Sequence, residues 1–279
     1  MPDDGFAVID KPKGPSSHEV SAWVKIITGR KAGHAGTLDP QAIGVLPVAV
    51  GSAMKLLRGL AECDKEYVCI ARFTPALDEA TLRDAFREFT GKIYQTPPAE
   101  AAVKRVLRSR VIHSLKLLET DGELALFRVK CQHGTYIRVL CEDIGEVYGS
   151  KGEMAELRRT IAGPFTEKDA VFLQTLKDER KLIPVERAVT HLKRIVVGNN
   201  AVGAVCHGAS LAVSGVKEAS GEIAKGETLA LFTQAGELIG LGEALMTSAE
   251  MGKAKSGLVA KPVSVVMPRD AYPRKWGKG

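Results

Sequence analysis

A chain of 279 residues, 45% hydrophobic and 26% charged, has room for one large domain and a smaller one and has the balance of a globular protein rather than a disordered one. Its 39 basic against 33 acidic side chains leave a net charge of +6, which suits a polyanionic partner without demanding one. Five cysteines with no Cys-x-x-Cys pair and six scattered histidines argue against a zinc site or disulfide framework, and no run nears the ~18 apolar residues of a membrane span. The first residues, MPDDG, lack the apolar core of a secretion signal, so a soluble protein of the reducing cytoplasm, with no membrane partner, is expected.

Residues 5–10 read as a short strand, ended by a turn that carries Lys11 and Lys13. A helix follows. Ser16 and Glu19 form a capping box, Val20, Trp23, Val24 and Ile27 recur at helical spacing, and Gly29 stops it. Arg30 and Lys31 lead into residues 33–47, GHAGTLDPQAIGVLP, so basic side chains flank this loop on both sides. Asp39 is the only acid between Glu19 and Glu62. Glycine admits backbone angles that other residues avoid, and Pro40 fixes its own φ while pushing Asp39 towards an extended conformation. Such a loop either presents one carboxylate rigidly at a cleft or uses it to cap a turn.

Residues 52–60 read as a second helix and 66–73 as a strand. Asp78 caps a helix that places Leu82, Ala85, Phe86 and Phe89 on one face, with Gly91 beyond its end; Pro97 and Pro98 break the pattern. Residues 103–131 have strand character, a basic cluster of Lys104, Arg105, Arg108 and Arg110, and a hairpin turn at Asp121-Gly122. After the strand over 124–131 come Gly134, Thr135 as helix cap, and a stripe of Ile137, Leu140, Cys141 and Ile144. Arg138 lies off that stripe near the positive helix end, a position that suits an anion or a carboxylate partner. Leu157-Arg-Arg-Thr160 precedes a Gly163-Pro164 turn, and residues 171–192 read as two short helices parted near Pro184. From Lys193 helical periodicity fades and 13 of the 28 glycines occur, with strands over 194–197, 229–233 and 238–241. An apolar strand beginning at Val265 and a basic, aromatic tail close the chain.

Several of these segments, in order, resemble the signature of TruB-type RNA pseudouridine synthases: His34-Ala-Gly-Thr-Leu-Asp-Pro with Gly44-Val-Leu-Pro47, Lys65-Glu-Tyr-Val68, Gly134-Thr-Tyr-Ile-Arg138, and Leu157-Arg-Arg-Thr160 with Gly163-Pro-Phe165. Tyr94-Gln-Thr-Pro-Pro98, Ala102-Val-Lys-Arg105 and the tail Tyr272-Pro-Arg-Lys-Trp276 are similar to the archaeal and eukaryotic branch, the dyskerin-like catalytic subunits of box H/ACA ribonucleoproteins. The resemblance implies an α/β fold of the α+β type. Residues 1–192 would form a catalytic domain on a mostly antiparallel mixed sheet, 193–270 a small PUA β-barrel that holds RNA, and 271–279 a basic tail.

It further implies a reaction without metal or other cofactor, in which the C1′–N1 bond of a uridine breaks, the base turns, and C5 joins C1′. The uridine must first leave its stack, at a cost of a few kcal/mol. Asp39 would be the catalytic carboxylate, as nucleophile at C1′ or base at C2′. Tyr67 would pack on the base and take the C5 proton, while Arg138 would pair with Asp39 and aim it. Leu157 would close the apolar side of the pocket, and His34 would occupy or prise open the RNA. The implied partners are substrate rRNA or tRNA, a box H/ACA guide RNA and small companion proteins. A stand-alone tRNA enzyme, a non-catalytic RNA-binding scaffold and a glycoside hydrolase are the alternatives; the last lacks a second acid in the Asp39 loop. Against the resemblance, the chain reaches its first strand early, reads His-Ala-Gly for the commoner His-Gly-Gly, and has no long Lys-rich tail, which favours an archaeal type.

Overall fold

The computed structural model describes residues 4–98 and 104–272. Ala102, Val103 and the tail from Pro273 to Trp276, part of the resemblance above, lie outside the described residues. The chain divides into two compact units, one of Ala7–Val48 and Gly59–Arg180, the other of the described parts of Met1–Phe6, Ala49–Arg58 and Lys181–Gly279.

The first unit is built on strands β1 (Gly5–Lys11), β2 (Ala32–His34), β3 (Ile43–Val50), β4 (Lys65–Thr74), β5 (Gly91–Gln95), β6 (Arg108–Asp121), β7 (Leu124–Cys131), β8 (Lys151–Ala162) and β9 (Phe165–Thr166). They form one nine-stranded sheet in the order β1-β3-β8-β4-β7-β6-β5, with β2 on β3 and β9 on β8. β3 and β8 run parallel, whereas β4 pairs antiparallel with β7 and β8, and β6 with β5 and β7. The sheet is therefore mixed and mostly antiparallel, as expected. The β6–β7 hairpin turns at Gly122.

Helices α1 (Ser17–Thr28), α2 (Leu57–Ala61), α3 (Glu79–Glu88), α4 (Ile137–Val147) and α5 (Leu173–Glu179) complete the first half of the fold. Ser16 and Glu19 close a full capping box on α1, which ends on Gly29, and Asp78 caps α3 by accepting from the Thr81 amide at 2.7 Å. Four local readings need correction. The last apolar strand does not begin at Val265 but ends there, spanning Leu258–Val265. Residues 52–60 are not one helix: a 3-10 turn over Gly51–Leu56 precedes the five-residue α2. Thr135 does not cap α4. The cap position is Tyr136, and the Thr135 hydroxyl instead donates to the Gln132 carbonyl at 2.7 Å, closing the turn before the helix. Trp23 belongs to the helical pattern of α1 but is 40% exposed, because the buried stripe runs through Val20 and Val24.

The second sheet contains β10 (Arg194–Val197), β11 (Leu211–Ala212), β12 (Val216–Ala219), β13 (Thr228–Thr233), β14 (Leu238–Ala244) and β15 (Leu258–Val265), in the barrel-like order β11-β15-β14-β13-β10-β12. α6 (Asn199–Cys206) and α7 (Ser248–Lys253) accompany it. The sequence reading missed α6, whose short glycine- and valine-containing run carries little helical signal. Its Val202 and Val205 pack into a core with Ile195, Leu229, Leu231, Ile239 and Val259. No described helix is long and apolar enough to cross a membrane.

Candidate active site

Asp39 lies in the loop between β2 and β3, and four side chains hold that loop from different directions. Ser17, buried in the first turn of α1, donates to the Leu38 carbonyl at 2.8 Å and accepts from the Leu38 amide at 2.7 Å. One hydroxyl thus satisfies both backbone groups of the residue before Asp39. Lys11 is wholly buried, and its ammonium donates to the carbonyls of Ala42, Pro12 and Pro40 at 2.7, 2.9 and 3.3 Å. Burial pushes the Lys11 pKa below its ordinary value, and the charge of Asp39 partly offsets this. Arg159 donates from Nη2 to the Gly36 carbonyl at 3.0 Å and from Nε to Val45 at 2.8 Å.

Two glycines are needed here. Gly36 turns at φ +77°, and Gly44 at φ +102° lies so close to β8 that a Cβ would stand 2.3 Å from the Arg159 carbonyl oxygen. The fourth anchor is His34. Its Nδ1 lies 2.9 Å from Ser21 Oγ and its Nε2 3.3 Å from Thr37 Oγ1. Ser21 donates to the Ser17 carbonyl at 2.9 Å, which assigns the ring the Nδ1–H tautomer with Thr37 donating to Nε2. Burial first, then the nearby His18 and Arg159, lowers the His34 pKa.

Arg138 comes from α4, ninety-nine residues along the chain, and its Nη2 reaches Asp39 Oδ2 at 2.9 Å. It is the second residue of α4, whose first turn contains no acid of its own. A lone cation there would oppose the helix dipole, and Asp39 supplies the missing negative charge. The turn that launches α4 is fixed by buried Gln95, which donates to the Tyr136 carbonyl and accepts from the Tyr136 amide, both at 3.0 Å. The Asp39 and Arg138 side chains remain 48% and 36% exposed. A pair so open contributes about 0–1 kcal/mol to stability, so its use is as a presented, directed carboxylate.

The floor is made by β4 and β8. Tyr67 is the direct cross-strand partner of Arg159, and Leu157 pairs with Cys69 two residues further on. Strand alternation therefore places Tyr67, Leu157 and Arg159 on one buried face, while Arg158 points the other way to Asp10 (3.0 and 3.1 Å) and Glu167 (2.5 Å). Burial raises the Tyr67 pKa; the Arg159 guanidinium beside the phenol opposes that rise and the charge of Asp39 adds to it. Lys65, also buried, donates to the carbonyls of Cys63, Ala61 and Leu60 at 2.5, 2.7 and 3.3 Å, and desolvation brings its pKa down to about 8. Among the described residues no three His, Cys, Asp or Glu side chains converge as a metal-binding group.

All five residues singled out in the sequence lie in this unit, and Asp39, Arg138, Tyr67 and Leu157 come from four separate segments of it. Lys11, Ser17, Gln95 and Arg159 escaped the sequence reading as site residues. Arg159 and Gln95 sit inside motifs already recognised, whereas Lys11 read as one of two lysines in a turn.

The family profile described as "TruB family pseudouridylate synthase (N terminal domain)" matches residues 24–137, "tRNA pseudouridylate synthase B C-terminal domain" matches 138–198, and "PUA domain" matches 193–266. A "Probable tRNA pseudouridine synthase B" of Methanosarcina barkeri is 48% identical over 289 residues, covering 98% of this chain and 86% of the relative. The protein of the same name from Methanocaldococcus jannaschii is 49% identical over 287 residues, covering 98% and 85%. Among solved structures, a chain of a Cbf5-Nop10-Gar1 complex superposes with a TM-score of 0.91 at 41% identity, covering 96% of this chain and 87% of that one. A chain of an H/ACA RNP bound to a substrate RNA containing 2′-deoxyuridine gives 0.90 at 39% identity, covering 98% and 88%. The chain therefore belongs to the TruB family of pseudouridine synthases, RNA isomerases, and carries a PUA domain C-terminal to its catalytic domain.

Proposed function

We propose that the chain converts uridine to pseudouridine in RNA with Asp39 as its catalytic carboxylate. Arg138 aims that carboxylate, and Tyr67 packs on the turned base and takes the C5 proton. Leu157 forms the apolar wall of the nucleotide pocket, and His34, its ring braced by Ser21 and Thr37, meets the RNA where the base departs. Residues 1–192 serve as the catalytic domain, 193–270 as the RNA-holding PUA domain and 271–279 as a basic tail. The protein works in the cytoplasm.

The observation that carries this reading is the 2.9 Å contact between Asp39 and Arg138 across ninety-nine residues of sequence. It supplies a directed anion at a helix N-terminus that remains half exposed to solvent. Asp39→Asn keeps the shape of the side chain and removes its charge. Pseudouridine formation should vanish while RNA binding is retained; turnover by this variant would refute the assignment.

The rRNA-directed reading, with a box H/ACA guide RNA and small companion proteins, is supported by the complexes whose catalytic chains superpose on this one. The names of the curated relatives favour a second substrate, tRNA. Labelled unmodified tRNA and guide–target RNA pairs, each with and without companion proteins, separate the two. Conversion of tRNA alone, with none of the guided target, would leave only the stand-alone enzyme.

A further inference from the structure

Arg159 is among the largest wholly buried side chains of the described residues and is the only buried arginine among them. No carboxylate pairs with it among them; it donates to the Gly36 and Val45 carbonyls, and the charge of Tyr67 acts on it from the facing strand. Its neighbour Arg158, with two carboxylates, shows that β8 can pair an arginine fully. An interior guanidinium without a counter-ion is costly, and an apolar side chain of similar volume would serve packing at least as well.

Its position gives the cost a purpose. Arg159 stands directly across from Tyr67 in the β4–β8 register, so their Cβ atoms are about 4.5–5.5 Å apart on the same face. Through Gly36 it also grips the loop that bears Asp39. Lys65, the other buried cation beside Gly36, is already engaged by three carbonyls of its own. Arg159 is thus the cation placed to act on the phenol.

We infer that Arg159 is a positioning residue for the isomerisation, holding the Tyr67 oxygen in place and stabilising negative charge on it so that it can take the proton from C5. The inference rests on the reading of Tyr67 as proton acceptor. Once C5 has bonded to C1′, the C5–H bond breaks and its proton passes to the Tyr67 phenolate oxygen. The electron pair of that bond closes the C5–C6 double bond, and the C6–N1 π pair returns to N1, which takes a proton from solvent. The phenol returns its proton to solvent, so one proton leaves C5 and one arrives at N1.

The test is single-turnover conversion by the full chain of an RNA containing uridine or 5-deuterouridine. Arg159→Gln retains a donor for the carbonyls but loses the charge, and Arg159→Lys restores the charge without the fork. Arg159→Gln should slow the reaction about 10²-fold, within the range for a proton-transfer step. It should also raise the C5 isotope effect above that of the unaltered chain and move the rising limb of the pH–rate profile to higher pH. RNA affinity should stay unchanged, and Arg159→Lys should recover part of the rate. Equal slowing of both isotopic substrates, or no slowing, would overturn the inference, as would failure of both variants to melt cooperatively, which marks a purely structural arginine. Tyr67→Phe separates the two ideas. If it shows no raised isotope effect, the reading of Tyr67 is wrong; if it does and Arg159→Gln does not, only the role of Arg159 falls.

Discussion

The two sheets of this protein solve burial in opposite ways. Of the eight polar or charged side chains buried among the described residues, only Thr233 lies in the six-stranded sheet; Lys11, Ser17, Ser21, Lys65, Gln95, Arg159 and Thr160 all belong to the catalytic unit. The core of the six-stranded sheet is otherwise valine, leucine, isoleucine and alanine, with Cys206 and Met267 at its margins. Desolvating an unpaired polar group costs more than a hydrogen bond returns, so a fold selected for stability alone avoids such groups. The catalytic unit accepts them because each fixes a segment whose direction matters: Ser17 and Lys11 hold the Asp39 loop, and Gln95 holds the start of α4. A platform can be held by packing, whereas a site needs addressed contacts.

That contrast can be broken or sharpened by mutation. Leu231→Ala, in the apolar core of the six-stranded sheet, should cost about 2–5 kcal/mol of stability by denaturant unfolding. The single-turnover rate at saturating RNA should be unchanged; a slowed chemical step would mean that the two regions do not divide the work as described. Arg138→Ala should do the reverse. Misdirection of Asp39 should lower the rate by about 10²-fold, while stability moves by no more than about 1 kcal/mol for so exposed a pair. Ser17→Ala falls between, stranding the Leu38 amide and carbonyl at a cost of about 1–3 kcal/mol. Faster amide exchange at Leu38, together with a slower reaction, would be the signature of a loosened loop.

The smallest effect concerns Asp143 on α4, whose pKa is raised to about 6 by partial burial and then by Glu142 and Glu146. Its folded-state pKa lies above the ordinary 3.8, so the folded chain holds the proton more tightly, and this contribution to stability is lost as pH rises from 3.8 through 6. Asp143→Asn should therefore be neutral near pH 3.5 and stabilising at pH 8, by less than about 1 kcal/mol once solvent screening is counted. Equal melting shifts at both pH values would contradict the charge-based account.

Much of the local structure is legible without coordinates. The Ser16–Glu19 box, the Asp78 cap, the hairpin at Gly122 and the alternation of β4 act over a few residues, where the sequence is the relevant environment. Thr135 misled because a hydroxyl before a helix can close the preceding turn as readily as cap the helix. The glycine-rich loop left Asp39 either a presented carboxylate or a turn cap, and the ordered motifs tied it to a family signature.

Residue order by itself determined the helices with caps, the strand alternation and the chemistry available at Asp39, Tyr67 and Arg138, because each depends on near neighbours or on side-chain type. The resemblance implied that Arg138 pairs with Asp39; only the tertiary structure decided the 2.9 Å geometry of that pair, that Tyr67 faces Arg159, and that Lys11 is an interior strut. The reason is that a buried cation is made tolerable by carbonyls converging from distant segments. Such convergence is a property of folded backbones and leaves no periodic trace in the chain.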